Sequence, residues 1–323
     1  MYCSKMSRFL FERLTLLLVG TLLMYLVMAT LMKNSGMMAD INLPVDETIV
    51  ADIESRIGNK LQLTNYEKGL LGCIIPNKSI DIRFADIKGL HDTKKTLLDS
   101  VVKPLRKRST CPLLAPPNGI ILHGPPGTGK TMLAKALCKE LDCPFINFSA
   151  NVIENKLYGE SSKILDALMT LAEKVQPCVV FIDEMDGFFS TRNSLDQAFV
   201  NNLKSLIFSK VDGISTSKNS IVFIGTTNRL DQIDPAMKRR MRCHVHVPLP
   251  DLAARLGILR AHVGAYTAED VDLDKVAEQC KGLSGSDIYE FCKHAAHASS
   301  HSDPLKMTQS VMNSSIKYFV DSL

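Results

Sequence analysis

The chain has little excess of either charge. Its 323 residues include 38 Lys and Arg against 34 Asp and Glu, a net charge of +4. That balance excludes a basic nucleic-acid tail, so no nucleic-acid partner is expected. Its nine cysteines contain no CxxC pair and scatter from Cys3 to Cys292. This spacing argues against a disulfide scaffold or a zinc knuckle and points to a reducing compartment. Internal repeats and low-complexity tracts are missing too. What is present is 46% hydrophobic content, which suits a packed core, over a length that fits about two domains. One short basic run, Lys103, Arg106, Lys107 and Arg108, reads as a solvated loop.

Residues Leu14 to Met32 form a run of 19 residues without a charge. As a helix it would measure about 28 Å, close to the hydrocarbon thickness of a bilayer. A signal peptide usually has a shorter apolar region and a small-residue cleavage site, and a core helix this long and apolar would be unusual. The run is therefore read as a single transmembrane anchor within residues 1–33, placing residues 14–32 in a lipid bilayer. Arg8 and Arg13 before it would leave the N-terminus cytosolic by the positive-inside rule. The nucleotide chemistry below argues for the opposite orientation, with the body in the cytosol. Residues 34–83 read as a linker and a small adaptor segment.

From Phe84 onward, short apolar runs alternate with helical stretches. The runs are Gly119–His123, Pro144–Phe148, Cys178–Ile182, Ser220–Thr226 and His244–Val247. Continuous apolar strands separated by helices predict a parallel sheet covered on both faces, an α/β domain over residues 84–250. After Pro250 no strand pattern remains, and residues 251–323 read as a small helical domain.

Gly124-Pro125-Pro126-Gly127-Thr128-Gly129-Lys130-Thr131 fits the phosphate-binding loop pattern, between a predicted strand and a predicted helix. Such a loop wraps backbone N–H groups around phosphate oxygens, and the helix N-terminus adds partial positive charge. Lys130 is placed to reach the β- and γ-phosphates of ATP, and Thr131 to hold Mg²⁺. Downstream, Asp183 and Glu184 end the run Val179–Ile182. Asp183 can bind the Mg²⁺ shell, while Glu184 can polarise water against the γ-phosphate. Asn228, at the end of the next strand, can orient that water. Arg239 and Arg240 lie beyond that strand, where they read as a basic turn on the surface or could serve a neighbouring subunit's site.

GPPGTGKT, FIDEMD, GTTN and the paired arginines at this spacing resemble an AAA ATPase from Phe84 to Ile288. Arg239-Arg240 are similar to the arginine fingers of the meiotic clade, which includes katanin and spastin. Within it, the chain most resembles the mitochondrial sorting proteins, called thorase in animals. The resemblance is carried by the apolar N-terminus, Leu63-Thr-Asn-Tyr66-Glu67, Ser100–Leu105 and Val175–Phe189. It implies a P-loop AAA domain with a helical lid, ATP and Mg²⁺ as ligands, and a homo-hexamer that threads tail-anchored proteins out of the mitochondrial outer membrane. The family also acts at the peroxisomal membrane. It further implies that Asp86 and Ile87 offer backbone contacts near adenine, that Gly285 and Ser286 approach the nucleotide, and that Leu157, Tyr158 and Gly159 form a pore loop. Tyr158 would grip substrate through broad aromatic contact. A second pore loop is expected between Ser190 and Gln197.

Three positions depart from the family pattern. Leu157 stands where an aromatic is usual, Lys88 replaces a glycine, and His244 takes the place of an arginine. If position 88 needs a positive φ, lysine imposes strain there. His294, His297 and His301 share one helix face and could bind zinc with Cys292, although a solvated face explains them as well. Two rival functions are a microtubule-severing enzyme of the same clade and a nucleotide-binding scaffold without hydrolysis. Residues 34–83 are short for a severing module, and Glu184 with Arg239-Arg240 argues against the scaffold.

Overall fold

The computed structural model describes residues 47–107, 117, 119–148, 161–189, 205, 208, 221–300 and 306–321. The apolar run at 14–32, Leu157, Tyr158, Gly159, residues 190–197 and His301 lie outside the described residues. Among those described, no helix is long and apolar enough to cross a membrane.

Six strands form one sheet in the order β1-β3-β4-β5-β2-β6. They are β1 (Ile74–Ile75), β2 (Gly119–His123), β3 (Phe145–Phe148), β4 (Cys178–Ile182), β5 (Ile221–Thr227) and β6 (Cys243–His246). β1 runs antiparallel to β3, and the other pairings are parallel. Successive side chains on a strand point to opposite faces. Val180 and Ile182 thus join one core cluster with Ile121 and Phe223, while Val179 and Phe181 join a second with Ile120 and Ile224. Both faces are apolar, so helices cover both, as expected for parallel strands.

α1 (Glu47–Ile57), α2 (Asn65–Leu70), α3 (His91–Leu97), α4 (Lys103–Lys107), α5 (Lys130–Leu141), α6 (Ser161–Val175), α7 (Met185–Phe189) and α8 (Pro235–Arg240) surround the sheet. The basic run around Lys103 is a short helix rather than a loop, with Arg106 donating to the Glu140 carbonyl. Along α5, Leu133, Ala134, Ala136, Leu137 and Cys138 are fully buried. Asp142 ends that helix in a left-handed conformation, φ 50°.

The segment read as a linker is, from Glu47 on, built into this core. Ile53, Leu70, Leu71 and Ile74 share one apolar cluster with Ile164, Leu168 and Leu171 of α6, and β1 adds a strand to the sheet edge. α2 begins with a reciprocal cap: Thr64 Oγ1 accepts from the Glu67 amide, and Glu67 Oε2 accepts from the Thr64 amide at 2.7 Å. Glu67 is only 1% exposed, and Lys174 Nζ donates to its two oxygens at 2.8 and 2.7 Å.

α9 (Leu252–Val263), α10 (Leu273–Gln279), α11 (Gly285–Ala298) and α12 (Gln309–Asp321) pack around Leu259, Val276, Phe291 and Met312. The buried Arg255 ties them together. Its Nε donates to the Ala277 carbonyl at 2.8 Å and its Nη1 to the Pro250 carbonyl at 3.0 Å. Burial pushes the Cys280 and Cys292 thiols up to about 11 and about 12, so both are poor nucleophiles near neutral pH. Among the described residues no cluster of histidine, cysteine and acid groups is arranged to hold a metal ion. His294 instead stacks on Tyr318 with ring centroids 4.9 Å apart.

Burial alone would raise the Glu67 carboxyl, but Lys174, Thr64 and Thr170 outweigh it and hold the pKa below its usual value. Its stabilising effect is therefore complete above the ordinary value of about 4.3 and is lost as pH falls through the folded value. Glu67→Gln is expected to lower stability near neutral pH by about 3 kcal/mol, the low end for a broken buried pair, because Lys174 keeps partial access to water. Denaturant melts from about pH 5 to about pH 3 should show that difference shrinking. A gap that stays constant over this range would assign the stability to something other than the ion pair.

Candidate active site

The strands β2, β4 and β5 end at the same edge of the sheet, because parallel pairing aligns His123 with Thr227 and Ile182 with Gly225. A cleft of about 850 Å³ opens there, between this edge and the helical lid. Its volume lies in the range of small-molecule sites.

On one wall, the loop from Gly124 to Gly129 leads into α5. Gly129 caps that helix without a side-chain bond, which leaves first-turn N–H groups facing the cleft. Gly127 has φ +71°, and an added Cβ would stand 2.4 Å from Ser284 Oγ, so only glycine fits the turn. The carbonyls of Gly124 and Pro125 accept from Lys130 Nζ at 3.0 and 2.7 Å. Thr128 Oγ1 donates to the Pro125 carbonyl at 2.9 Å, and Pro126 lines the opening. Burial lowers the Lys130 pKa, while Asp183 and Asp186 pull it back up.

Across from this loop, Thr131 Oγ1 lies 3.4 Å from Asp183 Oδ2. A hydroxyl facing a carboxylate at the rim of a phosphate loop suits a hard cation that takes oxygen ligands, and Mg²⁺ fits that donor set. Asp183 Oδ1 in turn accepts a hydrogen bond from Thr226 Oγ1. The Glu184 amide donates to Asp183 Oδ1 and to Thr226 Oγ1, each at 3.2 Å. Glu184 has φ +50°, unusual for a non-glycine residue, and these bonds hold it. Its exposed side chain lines the cleft, as does exposed Asn228 at the end of β5.

The far end of the cleft is less polar. Ile87, Pro248, Pro250, Ile258, Ala261, His262 and Tyr289 line it, with exposed Asp86 at its margin. The His262 and Tyr289 rings lie 4.8 Å apart, and burial lowers the His262 pKa. Gly285 and Ser286 open α11, and the Ser286 amide donates to the Gly127 carbonyl at 3.1 Å, joining lid to loop. Lys88 brings no strain. The positive φ values fall one and two residues later, at Gly89 (67°) and Leu90 (55°).

Arg239 and Arg240 lie away from the cleft, at the end of α8. Arg239 is exposed, while Arg240 Nη1 donates to the Ala236 carbonyl at 3.2 Å and its guanidinium sits 4.3 Å from the Phe208 ring centre. His244, on β6, is exposed with Nε2 at 3.3 Å from the Lys238 carbonyl. Sequence reasoning passed over Thr226 and Thr227, both 1% exposed, which bond Asp183 and Asp186 respectively. Two polar residues ending an otherwise apolar strand were the available signal. His262 and Tyr289 had none, because they come from separate helices that only the fold brings together.

Fold and cleft together define a P-loop nucleoside-triphosphatase domain with a helical lid. Residues 120–251 match the ATPase family associated with various cellular activities (AAA), and residues 270–311 match the AAA+ lid domain. An "Outer mitochondrial transmembrane helix translocase" of Danio rerio is 40% identical over 73% of this chain and 63% of its own length. The proteins of that name in Xenopus tropicalis and Homo sapiens are 40% and 38% identical over 75% of this chain, and 69% and 68% of theirs. The crystal structure of the FIGL-1 AAA domain in complex with ADP superimposes with a TM-score of 0.66 at 27% identity, covering 87% of this chain and 92% of that one. The chain belongs to the AAA family of ATP-hydrolysing enzymes.

Thr226→Val keeps the volume but removes the donor to Asp183. It is expected to lower ATP turnover about 10- to 100-fold, the usual cost of losing a group that orients a metal ligand. Unchanged turnover in a folded variant would show that Asp183 needs no such support. Tyr289→Ala is expected to weaken nucleotide affinity about 3- to 10-fold through loss of aromatic contact. Titration with a fluorescent ATP analogue checks this, and equal affinities would place the base elsewhere.

Proposed function

We propose that this protein is a membrane-tethered AAA translocase that uses ATP hydrolysis to draw tail-anchored proteins out of the mitochondrial outer membrane. The observation that carries the reading is the paired Asp183 and Glu184 at the strand edge, opposite Lys130 and Thr131. This is a hydrolytic arrangement, in a chain whose relatives bear the printed name of a transmembrane helix translocase. Those relatives extend beyond the matched region, so the whole activity is inferred from this part of them.

In this reading, Lys130 exchanges two loop carbonyls for phosphate oxygens, and the α5 N-terminus holds the phosphates from below. Thr131 and Asp183 would hold Mg²⁺, which when bound would neutralise the negative charge that develops on the phosphate oxygens. Glu184 takes the proton of the attacking water, and Asn228 orients that water. Asp86 and Ile87 border the base, and Gly285 and Ser286 close the lid over the phosphate loop.

Arg239 and Arg240 face away from their own cleft. In a homo-hexamer they would reach the neighbouring subunit's γ-phosphate, a contribution of about 10³- to 10⁵-fold in the GTPases where it is best known. Tyr158, with Leu157 and Gly159, grips the substrate chain, and residues 14–32 hold the motor in the lipid bilayer with its ATPase facing the cytosol. The peroxisomal membrane is a second site of action in this reading.

The test uses the full-length protein in liposomes with a tail-anchored client. Glu184→Gln should bind ATP but lose turnover and client release, and Arg239→Ala should cut turnover by about 10³-fold or more. Tyr158→Ala should keep turnover and lose release. Hydrolysis without any release by the wild type would sink the extraction reading. Absence of hydrolysis would leave a nucleotide-binding scaffold.

A further inference from the structure

The segment Leu63-Thr-Asn-Tyr66-Glu67 forms no part of the cleft, yet it carries a buried carboxylate with several polar partners. Glu67 is 1% exposed. Its two carboxylate oxygens accept from the Thr64 amide at 2.7 Å, from Thr170 Oγ1 at 2.7 Å, and from Lys174 Nζ at 2.8 and 2.7 Å. Lys174 also donates to the Gln62 carbonyl at 2.8 Å. One residue earlier, the Tyr66 ring receives Lys163 Nζ at 5.9 Å from its centre.

Lys163 and Lys174 lie near opposite ends of α6, about 16 Å apart along its axis at 1.5 Å per residue. The short helix α2 therefore holds α6 at both ends. Between these points the contact is apolar, with Leu70 and Leu71 in the same cluster as Ile164 and Leu168. Apolar contacts are non-directional and let one helix shift against another. A buried carboxylate with four directional bonds does not, because any shift along the axis leaves charge without a partner. In sequence, α6 starts at Ser161, the last residue of the Lys156–Ser161 motif that holds Tyr158.

We propose that Glu67 and Lys174 are positioning residues that lock α6 to residues 62–67, so that α6 keeps its place in the large domain while ATP hydrolysis drives movement of the substrate. The proposal rests on the extraction reading for its consequence, and on the ion pair alone for its structure. Neither residue lines the nucleotide cleft, so the lock acts on coupling between hydrolysis and movement and leaves hydrolysis itself in place.

The test compares the full-length wild type with Glu67→Gln/Lys174→Met and with Lys174→Arg. The double variant removes both charges together, which commonly leaves a fold intact where a single loss does not. Three quantities are read: ATP turnover, client molecules released per ATP, and amide hydrogen exchange over residues 161–175 and 124–131. In the double variant, turnover is expected within twofold of wild type, release per ATP reduced at least fivefold, and exchange faster in 161–175 only. Lys174→Arg should keep most of the coupling.

Release per ATP equal to wild type in the double variant would overturn the proposal. So would unchanged exchange in 161–175, or turnover falling in step with release. A wild type that hydrolyses ATP but releases no client would instead overturn the extraction reading. The exchange comparison would then still decide whether the lock exists.

Discussion

Parallel pairing of β2, β4 and β5 brings three chain segments to one edge. With His123 beside Thr227 and Ile182 beside Gly225, the phosphate loop, the acid pair and Asn228 emerge within reach of one another. A slip of one residue in β4 would turn Val179 and Phe181 toward the wrong core and send Asp183 to the opposite face. The two apolar clusters fix the register, and the register assembles the chemistry. Thr226 completes it: its hydroxyl donates to Asp183 and accepts from the Glu184 amide, so the same side chain steadies Asp183 and the strained residue beside it.

The lid meets the large domain through a few close contacts. Gly127 passes so near Ser284 that no side chain fits, and the Ser286 amide bonds the Gly127 carbonyl. Ser284 itself caps α11, with its hydroxyl accepting from the Asp287 amide at 3.3 Å and its own amide donating to Asp287 at 2.8 Å. The start of α11 thus has its own bonds satisfied by its cap while it touches the loop that faces phosphate. Lid position and loop shape are linked at this crossing.

On the other side of the sheet, the N-terminal segment is part of the domain. Its helix cap, its ion pair and its strand all engage the same neighbourhood of α6 and β3. A segment that only connected an anchor to a motor would have no need to bury Ile53, Leu70 and Ile74. This arrangement makes residues 47–83 a structural element of the ATPase core.

Local patterns in the chain were enough for whatever a short window of residues can encode. Apolar runs gave the parallel strands to within a residue or two, and the glycine-rich loop before a helix gave the phosphate site. The acid pair at the end of β4 also announced itself, since charge rarely follows five buried residues without a use. Contacts between distant segments were decided by tertiary structure. Residues 64–83 looked like a linker because β1 has only two residues and α2 only six, too short for any periodicity to register, whereas α1 shows one buried residue, Ile53, over its three turns. Nothing local marks Glu67 as buried; the fold places Lys174 and Thr170, more than a hundred positions away, against it. Lys88 looked strained until the backbone put the left-handed turn at Gly89 and Leu90. Burial and partner choice are properties of packing, and packing joins residues that no local window of sequence contains.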